Sequence, residues 1–143
     1  MKIGRFLIAS LISMLVMLGM SYTWHGVILT DFKMVNYPFP VFIGMLCLLY
    51  LVTGLVVSFL ANVFHDKENR AFRQITAGVA LGFFVYLIAF TLGVTFKGDG
   101  LQHVVIDFIW QMLEQGTGVF VAGLVYKLAE QRDKFIAMTR EIE

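Results

Sequence analysis

Four residues in the stretch "HVVIDFIWQMLEQGTG" carry side chains that can bind or move a proton or a cation. They are His103, Asp107, Gln111 and Glu114. Their spacing of four, four and three places them on one face of a helix. Gly118 continues the line, and Trp110 and Thr117 flank it. An imidazole, an amide and two carboxyl groups in a row suit proton transfer, cation binding or hydrogen bonding to a small polar solute.

The setting makes these carboxyl groups costly. The chain has 143 residues, 59% of them hydrophobic, and a mean hydropathy of +0.80. Soluble domains are about 45–50% apolar by a similar count. A fold of this size cannot hide such an excess from water, so the composition predicts a membrane protein of one domain. An ionised carboxylate at mid-depth facing lipid costs about 2.5–3.5 kcal/mol or more. The stripe must therefore face other helices or a water-filled cavity, or hold a proton, because a neutral carboxyl is cheaper to bury. The net charge of +1 gives no reason to expect a nucleic-acid partner.

The elements that position the stripe follow from length. A helix needs about 20 apolar residues to cross a bilayer core about 30 Å thick. Four segments qualify: 6–29, 39–61, 74–96 and 102–126. Pro38 and Pro40 mark the entry to the second, where a first-turn proline is tolerated. The first follows a charged "MKIGR" and contains a weak small-x-small site at Gly19-Met20-Ser21, but its apolar run is too long for a signal core.

Nine of eleven basic residues fall on one side of these spans. Lys2 and Arg5 precede the first. Lys67, Arg70 and Arg73 join the second to the third, and Lys127, Arg132, Lys134 and Arg140 follow the fourth. Only Lys33 and Lys97 fall on the other side. The expected fold is thus an all-α, integral membrane four-helix bundle with both termini cytoplasmic. The segment 127–143 lacks proline and glycine, so the last helix is expected to extend into the cytoplasm as a helical tail. Leu128, Phe135 and Ile142, with Met138 between, form an apolar line along it, and Glu130 and Lys134 make an i,i+4 pair.

A rise of 1.5 Å per residue assigns depths. Measured from Tyr126, Glu114 lies about 18 Å in and Asp107 about 28 Å in. Measured from Phe6, His25 lies about 28 Å in; Tyr50 and Tyr86 lie about 18 Å from the inner ends of their own spans. Two layers are expected: an outer one of His25, His103 and Asp107, and a middle one of Glu114, Tyr50 and Tyr86, with Gln111 between. Glu114 is expected to face inward and meet at least one of the tyrosines.

Other groups say less. Gly78 and Gly82, four apart, read as a helix-packing face, as do Gly116, Gly118 and Gly123. Trp24 and Trp110 suit an interfacial belt or packing. The lone Cys47 makes no disulfide or zinc site by itself. Ser10, Ser13, Ser21 and Ser58 have no neighbouring His–Asp arrangement, and no HExxH or CxxCH motif is present. An enzyme is therefore not the favoured reading. No cofactor is predicted. His25 and His103, with Asp107, form a lesser alternative set for a metal or haem.

The stretch "YTWHGVILTDF" closes the first span with an aromatic turn and glycine. It resembles small bacterial four-helix inner-membrane proteins of uncharacterised function, in which an aromatic-aromatic-Gly turn stands at this place; here His25 replaces the second aromatic. The resemblance implies an inner-membrane, multi-pass protein and no particular activity. Two functions stay open. One is binding or conduction of a proton, cation or small polar solute along the inward face, which for four short helices calls for a homo-oligomer. The other is a non-catalytic accessory or assembly subunit of a larger membrane complex. Polar stripes also serve as glue between membrane helices, at about 0.6 kcal/mol per bond.

Overall fold

Prolines and a left-handed turn set the helix boundaries. The computed structural model describes residues 3–30, 32, 38–91 and 100–140. The expected sites at Lys2, Lys33, Lys97 and Ile142, and the last residues of the third span, lie outside these. The described residues form four helices: α1 (Ile3–Ser21), α2 (Phe39–Val63), α3 (Arg70–Thr91) and α4 (Gly100–Arg140). The end of α1 widens into a π-helix over Tyr22–Ile28.

Pro38 caps α2, and its carbonyl accepts from the Val41 and Phe42 N–H groups at 2.9 and 3.1 Å. Between α2 and α3 the chain turns through Asn69, whose φ of 52° lies in the left-handed region that asparagine tolerates. The Asn69 carbonyl accepts from Arg73 N–H at 3.1 Å and starts α3.

Among the described residues, α4 packs extensively against all three other helices, α3 packs chiefly on α4, and α2 touches α3 only lightly. Glycines set the distances. A Cβ on Gly78 would lie 2.6 Å from the Gln115 carbonyl oxygen, and one on Gly82 would lie 2.6 Å from that of Gln111. The α3 and α4 backbones thus meet directly. A Cβ on Gly54 would likewise come within 2.6 Å of the Ser10 carbonyl oxygen, which brings α2 onto α1. Arg5 pairs with Asp133, so the start of α1 and the far part of α4 meet at one end.

The burial pattern is the reverse of a water-soluble domain. Ser10, Ser13, Ser21, Ser58, Gln74, Asp107, Glu114 and Gln115 are buried. Leu7, Leu15, Met45, Leu48, Phe59, Phe84 and Ile88 are more than half exposed. Large apolar side chains face outward in water only at a cost, because soluble folds rarely expose broad apolar surface. Three stretches, Ile3–Ile28, Phe39–Val63 and Arg70–Thr91, are long and apolar enough to cross a membrane. The fourth helix is not among them. Its Asp107, Gln111, Glu114 and Gln115 lower its hydropathy, and these are the residues that give the molecule its polar interior.

Candidate functional site

Glu114 lies midway along α4 and is 1% exposed. The Tyr50 hydroxyl, from α2, donates to its Oε1 over 2.6 Å. The Gln115 side-chain amide donates to the same oxygen over 3.3 Å. Ser21 of α1 neighbours the Tyr50 hydroxyl. Both partners of the carboxyl are neutral, and no cation pairs with it among the described residues. A buried charge without a counter-charge is costly, so this environment favours a carboxyl that carries its own proton. The Gln115 side-chain oxygen, Oε1, is buried and has no hydrogen-bond partner among the described residues. A buried acceptor left unpaired costs about 1–3 kcal/mol, and it marks a place where a proton donor would be welcome.

Asp107 forms a second group, two turns away. Trp24 Nε1 donates to its Oδ1 over 3.2 Å. His103 Nε2 lies 3.1 Å from its Oδ2, one turn back on α4. The Trp24 and Trp110 rings stack at 4.5 Å between centroids with 12° between planes. The tryptophans thus help to build this group as well as packing α1 against α4.

Two of the expected partners are elsewhere. His25 was placed opposite Asp107 by depth, but the side chain from α1 that reaches Asp107 is that of Trp24. The His25 ring packs against Phe32 at 6.3 Å. The cause is the π-helix, whose wider turn rotates each residue by less than an α-helical step. Tyr86 was placed level with Glu114. Its hydroxyl instead donates to the Val104 carbonyl over 3.0 Å, and its ring packs against Phe108 at 5.3 Å. The glycine contacts set this register: Gly78 lies against Gln115 and Gly116, and Gly82 against Gln111 and Met112. That slides α3 about six residues, or about 9 Å, from the offset that apolar ends suggest. Tyr86 therefore belongs with the Asp107 group. Gln111 is half-buried between the two groups.

Several polar residues of the interior escaped a search for nucleophiles. Ser10, Ser13 and Ser21 are buried along one face of α1. Ser13 donates to the Gly118 carbonyl over 3.0 Å. The Ser58 and Tyr126 hydroxyls lie 2.9 Å apart, and Gln74 donates to the Ala61 carbonyl over 2.9 Å. The signal was present in the spacing: Ser10, Ser13, Met17 and Ser21 follow steps of three, four and four, which is one helical face.

At the Arg5 end, His65 Nε2 lies 3.3 Å from Glu130 Oε2, and Lys134 Nζ lies 2.6 Å from Glu130 Oε1. The Lys134 ammonium, with a smaller effect from His65, holds the Glu130 carboxyl below the usual carboxylate range. An open cleft of about 690 Å³ lies here, lined by His65, Asp66, Lys67, Arg70 and Glu130 among others. Its walls carry both signs of charge. About 24 Å of helix separates Glu130 from Glu114, so the cleft is not part of the carboxyl site.

Comparison with known proteins finds no matching family model, no similar curated protein and no similar solved structure. Among the described residues, no group of three or more His, Cys, Asp and Glu side chains is arranged to hold a metal ion. The residues brought together are a carboxyl, a phenol and an amide. That set can bind, hold and release a proton.

Proposed function

We propose that this is a small multi-pass protein of the cell inner membrane that binds a proton, and passes it or a small cation, at Glu114. The two termini lie on the cytoplasmic side, α4 crosses with its polar face turned inward, and its last turns stand in the cytoplasm. The basic residues support that orientation, and the Arg5–Asp133 pair supports placing both ends on one side. One observation carries the reading. Glu114 is buried at mid-helix, bonded to the Tyr50 hydroxyl at 2.6 Å, with no cation beside it among the described residues. Ionisable groups at such depth are expensive and mark ion or proton pathways by default.

Four helices leave little room for a pore, so conduction would call for a homo-oligomer. The test is flux. The protein is reconstituted in liposomes containing a pH-sensitive dye, and a potassium diffusion potential drives protons inward. Wild-type vesicles acidify faster than empty ones, and Glu114→Gln removes the difference while leaving reconstitution intact. Equal rates for wild-type and Glu114→Gln vesicles would refute the reading.

A second reading, an accessory subunit of a larger membrane complex, has its own support. Leu128, Phe135 and Met138 on the last turns of α4 are all more than half exposed. Purification in mild detergent from its native membrane separates the two. A stable hetero-complex that survives Glu114→Gln unchanged favours the accessory role.

A further inference from the structure

We propose that, in the conformation described, Glu114 exchanges its proton with the His103 end of the molecule, and that Met17, seated on Gly118, is the gate that must move before a proton passes to the Arg5 end. The proposal rests on the reading of Glu114 as a proton site and adds the side from which that site is reached.

Along the face of α4, polar side chains follow Glu114 without a break in one direction only. Towards the His103 end, Gln111, Asp107 and His103 follow on the same face of α4, with the Tyr86 hydroxyl entering from α3 near Val104. Towards the Arg5 end, the same face presents Gly118 and then Ala122. Met17 packs on Gly118, and Val119 and Ala122 follow on α4, each of the three with 0% exposure. Water needs polar partners to occupy a cavity, and a small apolar space stays dry. A dry layer one turn thick, about 5.4 Å, is enough to break a hydrogen-bonded chain.

The layer has one movable part. Met17 is the sole apolar member of the buried line Ser10, Ser13, Met17, Ser21 on α1. A Cβ on Gly118 would lie 2.3 Å from the Met17 sulfur and 3.0 Å from its Cγ. The thioether thus fills the notch that glycine leaves, one turn from Glu114 on the same face. Polar groups resume immediately beyond it. Ser13 donates to the Gly118 carbonyl, and Ser58 and Tyr126 follow. The barrier is therefore a single layer between two polar regions. Its plug is an unbranched side chain with three rotatable bonds, held by packing alone.

Among the described residues the groups bonded to Glu114 are the Tyr50 hydroxyl of α2 and the Gln115 side chain of its own helix, with Ser21 of α1 beside Tyr50. None of these is a charged group that could attract a proton across the Met17 layer. On the other side Asp107 and His103 stand along the route.

The experiment uses the full chain in sealed membrane vesicles of both orientations. A charged, membrane-impermeant carbodiimide, which reacts with protonated carboxyl groups, is added outside, and modification of Glu114 is read by peptide mass spectrometry. A lipid-soluble carbodiimide is run in parallel. Vesicles exposing the His103 end show Glu114 modified severalfold more than vesicles exposing the Arg5 end. Met17→Ala raises modification from the Arg5 end severalfold, whereas Met17→Leu, which keeps the plug, retains the one-sided pattern. Equal modification from both sides in the wild type, or none from either side while the lipid-soluble reagent still reacts, overturns the sidedness and leaves the proton reading standing. No reaction of Glu114 with either reagent overturns the proton reading and the sidedness together.

Discussion

The Tyr50 hydroxyl of α2 donates to the Glu114 carboxyl of α4 over 2.6 Å, inside a core that mixes serines and other polar side chains with apolar ones. The bond joins two helices at the more deeply buried of the two carboxyl groups in the interior. Removing the hydroxyl leaves the carboxyl oxygen with only the longer bond from Gln115. Tyr50→Phe is therefore expected to cost about 1–3 kcal/mol, the range for orphaning a buried polar partner. Glu114→Gln keeps an acceptor for the phenol and costs less. The double variant is less than additive, because both changes act on the same bond. Thermal unfolding of the four proteins in detergent gives the comparison, and strict additivity would show that the bond carries no coupling energy.

The meeting of α3 and α4 predicts a sharp difference among glycines. Gly78→Ala and Gly82→Ala each drive a methyl group to 2.6 Å from a carbonyl oxygen on α4. Each should destabilise the protein by about 1–3 kcal/mol, as overpacking does. Gly44→Ala and Gly19→Ala meet nothing within 4 Å and should leave the melting temperature unchanged or slightly raised, as alanine favours a helix. Melting temperatures for the four variants check this. A fall of equal size at all four would remove the close contact as the reason.

The tryptophan stack offers a spectroscopic prediction. Trp24 and Trp110 lie parallel at 4.5 Å, close enough for their excited states to couple. Trp24→Phe or Trp110→Phe, each alone, is expected to abolish the paired signal in circular dichroism. Trp24→Phe also removes the hydrogen bond to Asp107, so it lowers stability more than Trp110→Phe. Persistence of the paired signal in either single variant would mean the rings do not stack.

The Arg5 end carries a pH prediction. Lys134, and to a smaller degree His65, hold the Glu130 carboxyl below its usual range. A depressed carboxyl stabilises the folded state above its unfolded value and loses that contribution as pH falls through the folded one. The stabilisation from the Glu130–Lys134 contact should therefore be lost as pH falls below the ordinary glutamate range. Lys134→Ala should move the Glu130 titration upward, as followed by carboxyl NMR shifts. An unmoved midpoint would show that Lys134 is not the cause.

How much of this lay open in the sequence differs from residue to residue. The alignment of Asp107 and Glu114 on one helical face follows from spacing alone, because helical period is a local property. That α3 carries a close-packing face was readable from Gly78 and Gly82. The level of Tyr86 was not. Depth measured from the apolar ends treats each helix separately, whereas register is set by where two backbones touch. That Trp24 would reach Asp107 was not legible either, because a π-turn leaves no signature in the residues near Tyr22. The serine face of α1 was legible but was searched for nucleophiles, and its members serve instead as small polar packing.

The measurement that bears most directly on Glu114 as a proton site is infrared spectroscopy of the protein in lipid. The account predicts a protonated-carboxyl stretch that shifts on exchange into heavy water, moves when Tyr50→Phe removes the hydrogen bond, and vanishes in Glu114→Gln while surviving Asp107→Asn. A spectrum in which that band is missing from the wild type, or is unchanged in Glu114→Gln, would contradict it.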